Sequence, residues 1–284
     1  MDLRISLVAV ATLAAMFPAA PALSADSIFP DKKLEAAVRQ YVFAKKMNEE
    51  PLTAEDVKDL STIHADGKGI KDLKGLEKCG SLAELSLAGN EVSDLAPLAD
   101  LKNVQLLDLA RNRITDLKPL AGLKRLQYLN LSGNGVKDLS PLAELTALTS
   151  LYLTGNQITD LGPLKGLVKL WTLYAGENQI SGLETLSSLT WLSSLELRGN
   201  RIEDLKPLAK LRELRLVFLD DNRIADLSPL VESAQADAKG EKRFAPFLRL
   251  FITGNPLNEE SKKSLETLKS IGVRVTTGPR ARKL

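Results

Sequence analysis

The sequence predicts an α/β solenoid, with a parallel β-sheet along one face, short helical turns along the other and a helical segment ahead of the first strand. Three observations carry this. An asparagine recurs every 22 residues, at Asn90, Asn112, Asn134, Asn156, Asn178, Asn200 and Asn222. Each ends an LxxLxLxxN pattern and opens an NxIxDLxPLxxL pattern, as in LAELSLAGNEVSDLAPLADL from Leu82 and LTSLYLTGNQITDLGPLKGL from Leu148. The apolar residues alternate through LxL, as a strand requires, and every copy runs the same way, so the strands are parallel neighbours. One copy cannot bury its leucines alone, which makes stacking obligatory.

Taken in chain order, the first element is a targeting segment. Arg4 is followed by an apolar run from Ile5 to Phe17, and PAAPALSAD (18–26) offers small residues for cleavage after Ala22 or Ala25. The run is short for a membrane span. Residues 1–25 are therefore expected to be a signal peptide, and the mature chain to be exported, to the periplasm or outside the cell, with no transmembrane segment.

Residues 26–59 are expected to be helical and to cap the array. Asp31 is placed as the N-cap of a helix reaching toward Lys46, with Leu34, Val38 and Tyr41 on one face. Thr53-Ala-Glu-Asp56 reads as a second helix start.

The array occupies 60–257 in nine copies. The first, from Leu60, has Lys68 in the asparagine column, and the last ends at Asn255, which follows Asn222 by 33 residues. That spacing is one period plus an eleven-residue insertion; the polar stretch Glu232 to Arg243 is expected to be a surface loop. The copy ending at Asn178 is irregular, with Ala175 for a leucine, Gly182 for the aspartate and Thr185 for the proline. The substitutions could leave room for a ligand contact. Residues 258–284 are read as a closing helix stopped by Gly272, a strand around Val273–Val275 and a basic tail.

These copies resemble the leucine-rich-repeat family, in the 22-residue class of bacterial internalin-like proteins. The resemblance covers nearly all of the chain after residue 25. It implies a horseshoe with the sheet on its concave face, helical turns on its convex face and a helical N-terminal cap. It says little about function, because members of one fold bind unrelated partners.

The columns assign most residue types to the scaffold. The asparagines can bond backbone groups at the strand exit. The aspartates of DLxPL (Asp94, Asp116, Asp138, Asp160, Asp204 and Asp226) each precede a proline-bearing turn and read as caps rather than as catalytic carboxylates. Cys79 stands in a leucine column and reads as a small buried hydrophobe. It is the only cysteine and His64 the only histidine, so no intramolecular disulfide, two-cysteine redox motif or histidine-rich metal site can form. No nucleophile motif or phosphate loop appears. Asp108 and Glu196 stand four copies apart, roughly 19 Å at ~4.8 Å per strand, too far for a glycosidase pair. The sequence therefore predicts no enzyme and no cofactor. Lysine and arginine number 38 against 36 acids, and this balance gives no footprint for nucleic acid or an anionic membrane.

Information must then lie in the outward positions of the strands. Their aromatics concentrate from Tyr128 onward. The expected binding surface is a concave row centred on Tyr152, Trp171 and Tyr174, flanked by Tyr128, Phe218 and Phe251, with Glu196 and Arg198 facing outward to set specificity. The expected partner is a protein or peptide. The alternatives are a glycan stacked on the same rings, and a regulatory role like that of the phosphatase-binding leucine-rich-repeat subunit.

Overall fold

In the computed structural model the described residues are 27–278. The expected signal peptide and most of the basic tail lie outside them. Ten three-residue strands form one parallel sheet in chain order: β1 Thr62–His64, β2 Glu84–Ser86, β3 Leu106–Asp108, β4 Tyr128–Asn130, β5 Ser150–Tyr152, β6 Thr172–Tyr174, β7 Ser194–Glu196, β8 Leu216–Phe218, β9 Arg249–Phe251 and β10 Arg274–Thr276. From β1 to β8 the register advances by 22 residues per strand, and β8 pairs with β9 across the 33-residue step without a slip. The middle residue of β1 to β9 is buried, from Ile63 to Leu250, and belongs to one continuous core. Its neighbours in each strand face outward, by the two-residue period of a strand. On the opposite side run short 3₁₀ turns such as Ala96–Leu98, Lys118–Leu120 and Ser140–Leu142, each with proline in its first turn.

The asparagine column explains why the copies stack in register. The Asn156 amide donates to Leu153 O of its own copy and to Leu131 O of the copy before, while its Oδ1 accepts from Val136 N. One buried side chain thus satisfies backbone groups of two adjacent copies, where no water could. The pattern repeats at the other columns, and Asn255 keeps it by reaching Leu219 O and Ile224 N across the insertion. The aspartates act locally. Asp116 Oδ1 accepts from Lys118 N and Asp138 Oδ1 from Ser140 N, closing the turn that leads into each 3₁₀ segment.

The column just past each strand needs a left-handed backbone. Gly155 has φ +70° there and Gly133 +69°, but Arg111, Glu177 and Asp221 hold the same conformation at +54°, +52° and +57°. A side chain in this region is sterically disfavoured, so these three copies carry local strain that their neighbours lack.

Ahead of the sheet, α1 (Lys32–Arg39) starts at Asp31, whose carboxylate accepts from Lys33 N and Leu34 N. Its other oxygen accepts from Lys71 N and Asp72 N, which ties the helix to the first copy. A capping box of Thr53 and Asp56 starts α2 (Ala54–Val57). The first helix is shorter than expected. After Arg39 the chain turns back, and the Arg39 guanidinium donates to the carbonyls of Lys45, Asn48 and Glu50. Leu34 and Val38 are buried as expected, but Tyr41 is not on their face: it is exposed, and its hydroxyl accepts from His64 N at 2.9 Å.

The expected loop at Glu232 to Arg243 is mostly helix. α3 (Ser228–Lys239) covers eight of those twelve residues. Pro229 starts it, its alanines favour it, and it buries Leu230, Val231 and Ala234. The Asp237 carboxylate accepts from the N–H groups of Arg243, Phe244 and Ala245, which folds the following chain back toward β9. α4 (Glu259–Ser270), capped by Asn258, packs on α3 and leads into β10.

Candidate binding surface

Five aromatic side chains form a continuous row on the outward face of the sheet. Ring centroids of Tyr128 and Tyr152 lie 5.3 Å apart, and those of Tyr152 and Tyr174 also 5.3 Å, edge to face at 73°. Tyr174 meets Phe218 at 6.4 Å across the intervening strand β7, and Phe218 stacks on Phe251 at 4.6 Å. The Arg249 guanidinium lies 5.7 Å from the Phe251 ring and extends the row with a cation. Each of the five rings is half-buried. Burial raises the phenol pKa of Tyr128 and Tyr152 above the ordinary value, with the Asp108 charge adding to the first.

The register shows why the row has this shape. Tyr152, Tyr174, Glu196, Phe218 and Phe251 pair directly across neighbouring strands, whereas Tyr128 pairs with Ser150 and meets Tyr152 diagonally. Glu196 therefore interrupts the rings in sequence, but its carboxylate does not stand among them. It accepts from Gly176 N at 2.9 Å, Thr154 Oγ1 at 3.2 Å and Arg198 N at 3.2 Å, and the residue is only 9% exposed. A side chain at position 176 would collide with it. Burial raises the Glu196 pKa against these hydrogen bonds.

One expectation changes with this geometry. Glu196 is a buried anchor over Gly176 rather than an outward specificity residue. Arg198 stays partly exposed. It donates to Glu177 Oε1 at 2.8 Å, and its Nε lies 3.9 Å from Glu196 Oε1.

Trp171 is also displaced from the expected centre. It lies one residue before β6, with its backbone bonded to Thr149 and Ser193, and its side chain is 47% exposed. Among the described residues, the ring contacts that build the row do not include it. The position is the entry edge of the sheet, which the two-residue period of the strand could have indicated, since Thr172 and Tyr174 share a face that Trp171 does not.

The first three copies carry a feature that sequence reading missed. A hollow of about 340 Å³ opens among His64, Asp66, Glu84, Leu106, Asp108 and Tyr128. His64 Nε2 lies 2.9 Å from Glu84 Oε1, and Asp66 accepts from Ser86 Oγ and Ala88 N. Nothing in the repeat pattern marks such a hollow; it arises because small and acidic side chains stand where later copies place rings. Cys79 is fully buried, and burial together with the Glu77 charge pushes its thiol pKa up to about 12. Among the described residues no His, Cys, Asp and Glu group of three converges to hold a metal ion, and no helix is long and apolar enough to cross a membrane.

Known proteins share both the sequence pattern and the shape. A profile of leucine-rich repeats in two copies matches residues 102–144 and 124–166. The structure of internalin C2 from Listeria monocytogenes is similar over 72% of this chain and 89% of its own, at 36% identity and a TM-score of 0.69. The chain belongs to the internalin class of leucine-rich-repeat proteins. Internalin F of the same organism superposes over 88% of this chain and 91% of its own at 24% identity, with a TM-score of 0.56. A plant peptide hormone receptor solved in complex with RGF2 shares the fold at 22% identity over 75% of this chain and 35% of its own, with a TM-score of 0.58. No curated protein sequence matches the chain. The parallel sheet is accordingly the concave face of a leucine-rich-repeat horseshoe, and the aromatic row lies along it.

Proposed function

We propose that this internalin-class chain is an exported, non-catalytic binding protein whose concave aromatic row holds a protein or peptide. Leucine-rich-repeat proteins, internalins and receptors among them, commonly mediate protein binding. The observation that carries the reading is the unbroken ring contact from Tyr128 to Phe251 on rigid strands. Rings already held by one another lose little freedom when a partner arrives, and tyrosine is a recurrent hot-spot residue. The edge-to-face packing at Tyr152–Tyr174 and Tyr174–Phe218 turns rings onto their neighbours and leaves fewer open faces for sugar stacking. That favours a polypeptide over a glycan. Export rests on the apolar run from Ile5 to Phe17 and the small residues that follow it.

Site-specific photo-cross-linking tests the surface. A cross-linker placed at 152 or 218, in cells producing the full chain, should capture one polypeptide that a cross-linker at 118 on the convex face does not. Equal capture from 118, or capture of glycan alone, would overturn the reading. N-terminal sequencing of the envelope-associated chain should begin between Leu23 and Asp26; recovery of intact Met1 in cytoplasm would remove the export claim.

A further inference from the structure

The concave row leaves both tryptophans of the chain unused. Because all ten strands are parallel, their N-terminal ends lie along one edge of the solenoid, and Trp171 and Trp191 stand one and three residues before β6 and β7. They are 47% and 59% exposed. Val168, four residues before β6, is 49% exposed, and Phe247, two residues before β9, is 60% exposed. Four large apolar side chains thus face solvent on one edge, ahead of β6, β7 and β9. Trp171 and Trp191 stand on this edge separately rather than as one apolar patch, the arrangement that an interfacial plane accommodates.

Charge is segregated on the same edge. The nine-residue stretches leading into β6, β7, β8 and β9 (163–171, 185–193, 207–215 and 240–248) carry seven lysines and arginines and two glutamates. The stretches leading into β2 to β5 (75–83, 97–105, 119–127 and 141–149) carry four and three. The chain's near-zero overall balance conceals this local excess. Both acids are engaged: Glu213 pairs with Arg243 and lies 3.9 Å from Arg215, and Glu241 lies 3.6 Å from Arg243, so Lys165, Lys169 and Lys210 are among the cations that carry the edge's excess outside the ion pairs of the described residues. The Arg215 guanidinium sits 4.8 Å from the Phe247 ring centroid, so cation and ring are held together. Trp191 shares a hollow of about 290 Å³ with Thr190, Lys210, Arg212, Glu213 and Arg243.

We propose that this entry edge, from β6 to β9, docks on the surface of an anionic lipid bilayer. Tryptophan rings and basic side chains are the groups that settle at the headgroup level of such a surface, the ring among the upper acyl chains and the cation at the phosphates. Each cation near an anionic leaflet strengthens binding by about fivefold at moderate salt. A polypeptide partner fits the edge less well. The hollow beside Trp191 is lined by five polar residues, so the exposed rings are set among cations rather than along an apolar cleft. A plane accepts separated rings and cations at once. Docking on the edge leaves the concave row open, so the two surfaces can be occupied together.

Tryptophan emission tests this directly, because the chain holds two tryptophans and both stand on the edge. Their signal is blind to vesicle contacts made elsewhere, including any by the apolar run at residues 5–17. Vesicles of equal parts phosphatidylglycerol and phosphatidylcholine should shift the emission of the full chain to the blue, and brominated lipids should quench it. Pure phosphatidylcholine vesicles should do neither. The double variant Lys169→Glu, Lys210→Glu should weaken binding about tenfold or more, and raised salt should do the same. Tyr152→Ala should leave vesicle binding unchanged, which keeps this proposal separable from that of the concave row. Vesicle binding without any change in emission, or equal shifts with both lipid compositions, would overturn it.

Discussion

The stretch from β2 to β3 and the stretch from β5 to β6 have the same backbone and different surfaces. Both pairs keep the 22-residue register, bury a leucine at the centre of each strand and are locked by the same asparagine bonds. Outward, the first presents Glu84, Ser86, Leu106 and Asp108 around a hollow, and the second presents Ser150, Tyr152, Thr172 and Tyr174 with rings in contact. The comparison teaches that inward and outward positions are independent here. Stability is periodic along the array, while the outward residues vary from copy to copy and carry the recognition proposed above.

The largest expected effect would break the comparison if it failed. Leu85→Ala and Leu151→Ala remove the same buried side chain from the two stretches, and each should cost about 2–5 kcal/mol by chemical denaturation. A repeat array stabilised by neighbours predicts similar values. A cost at Leu85 several times smaller than at Leu151 would mean that the polar end is loosely packed.

A smaller effect concerns the turn column. Gly155→Ala places a side chain at φ +70° and should cost about 1–2 kcal/mol, although the nearest atoms of the neighbouring copy leave room for it. Arg111→Gly, at the same position of the third copy, should be neutral or stabilising by up to about 1 kcal/mol. Thermal unfolding of the two variants checks the pair; a loss at Arg111→Gly as large as that at Gly155→Ala would contradict the strain assigned to the non-glycine copies.

These elements differ in how far they could be read beforehand. The strands, asparagines and aspartates were legible because each column repeats a residue whose chemistry serves its own backbone or the next copy. The helix α3 was not, because its polar alanine-rich stretch lacks a periodic leucine, and what fixes it is Asp237 binding three N–H groups beyond its end. The burial of Glu196 depends on the missing side chain of Gly176 in the copy before, a relation between columns that no single repeat displays. Trp171 stands beside the tyrosines in sequence, and the strand's two-residue alternation separates it from them.

The smallest expected effect follows from Glu196. Its folded-state pKa is raised above the ordinary 4.5 by burial, so the folded chain holds the proton more tightly than the unfolded chain does. The resulting stabilisation is full below 4.5 and is lost as pH rises through the folded value. Glu196→Gln removes this dependence, so its stability relative to the parent should improve from acid to neutral pH. Unfolding of both proteins across that range gives the difference directly, with the other carboxylates cancelling; a relative loss on going to neutral pH would reverse the assigned shift.

The central claim is that the concave rings, and not the shared scaffold, hold the partner. It is tested most directly by measuring the affinity of the partner captured at position 152 for the parent chain, for Tyr152→Ala and Tyr174→Ala together, and for Leu106→Ala in the polar stretch. The ring variant should lose about 2 kcal/mol or more of binding energy while still unfolding in one cooperative transition, with a stability loss of about 2–4 kcal/mol from the three ring contacts removed, and Leu106→Ala should bind as the parent does. Undiminished affinity in the ring variant, or an equal loss at Leu106→Ala, would contradict the claim.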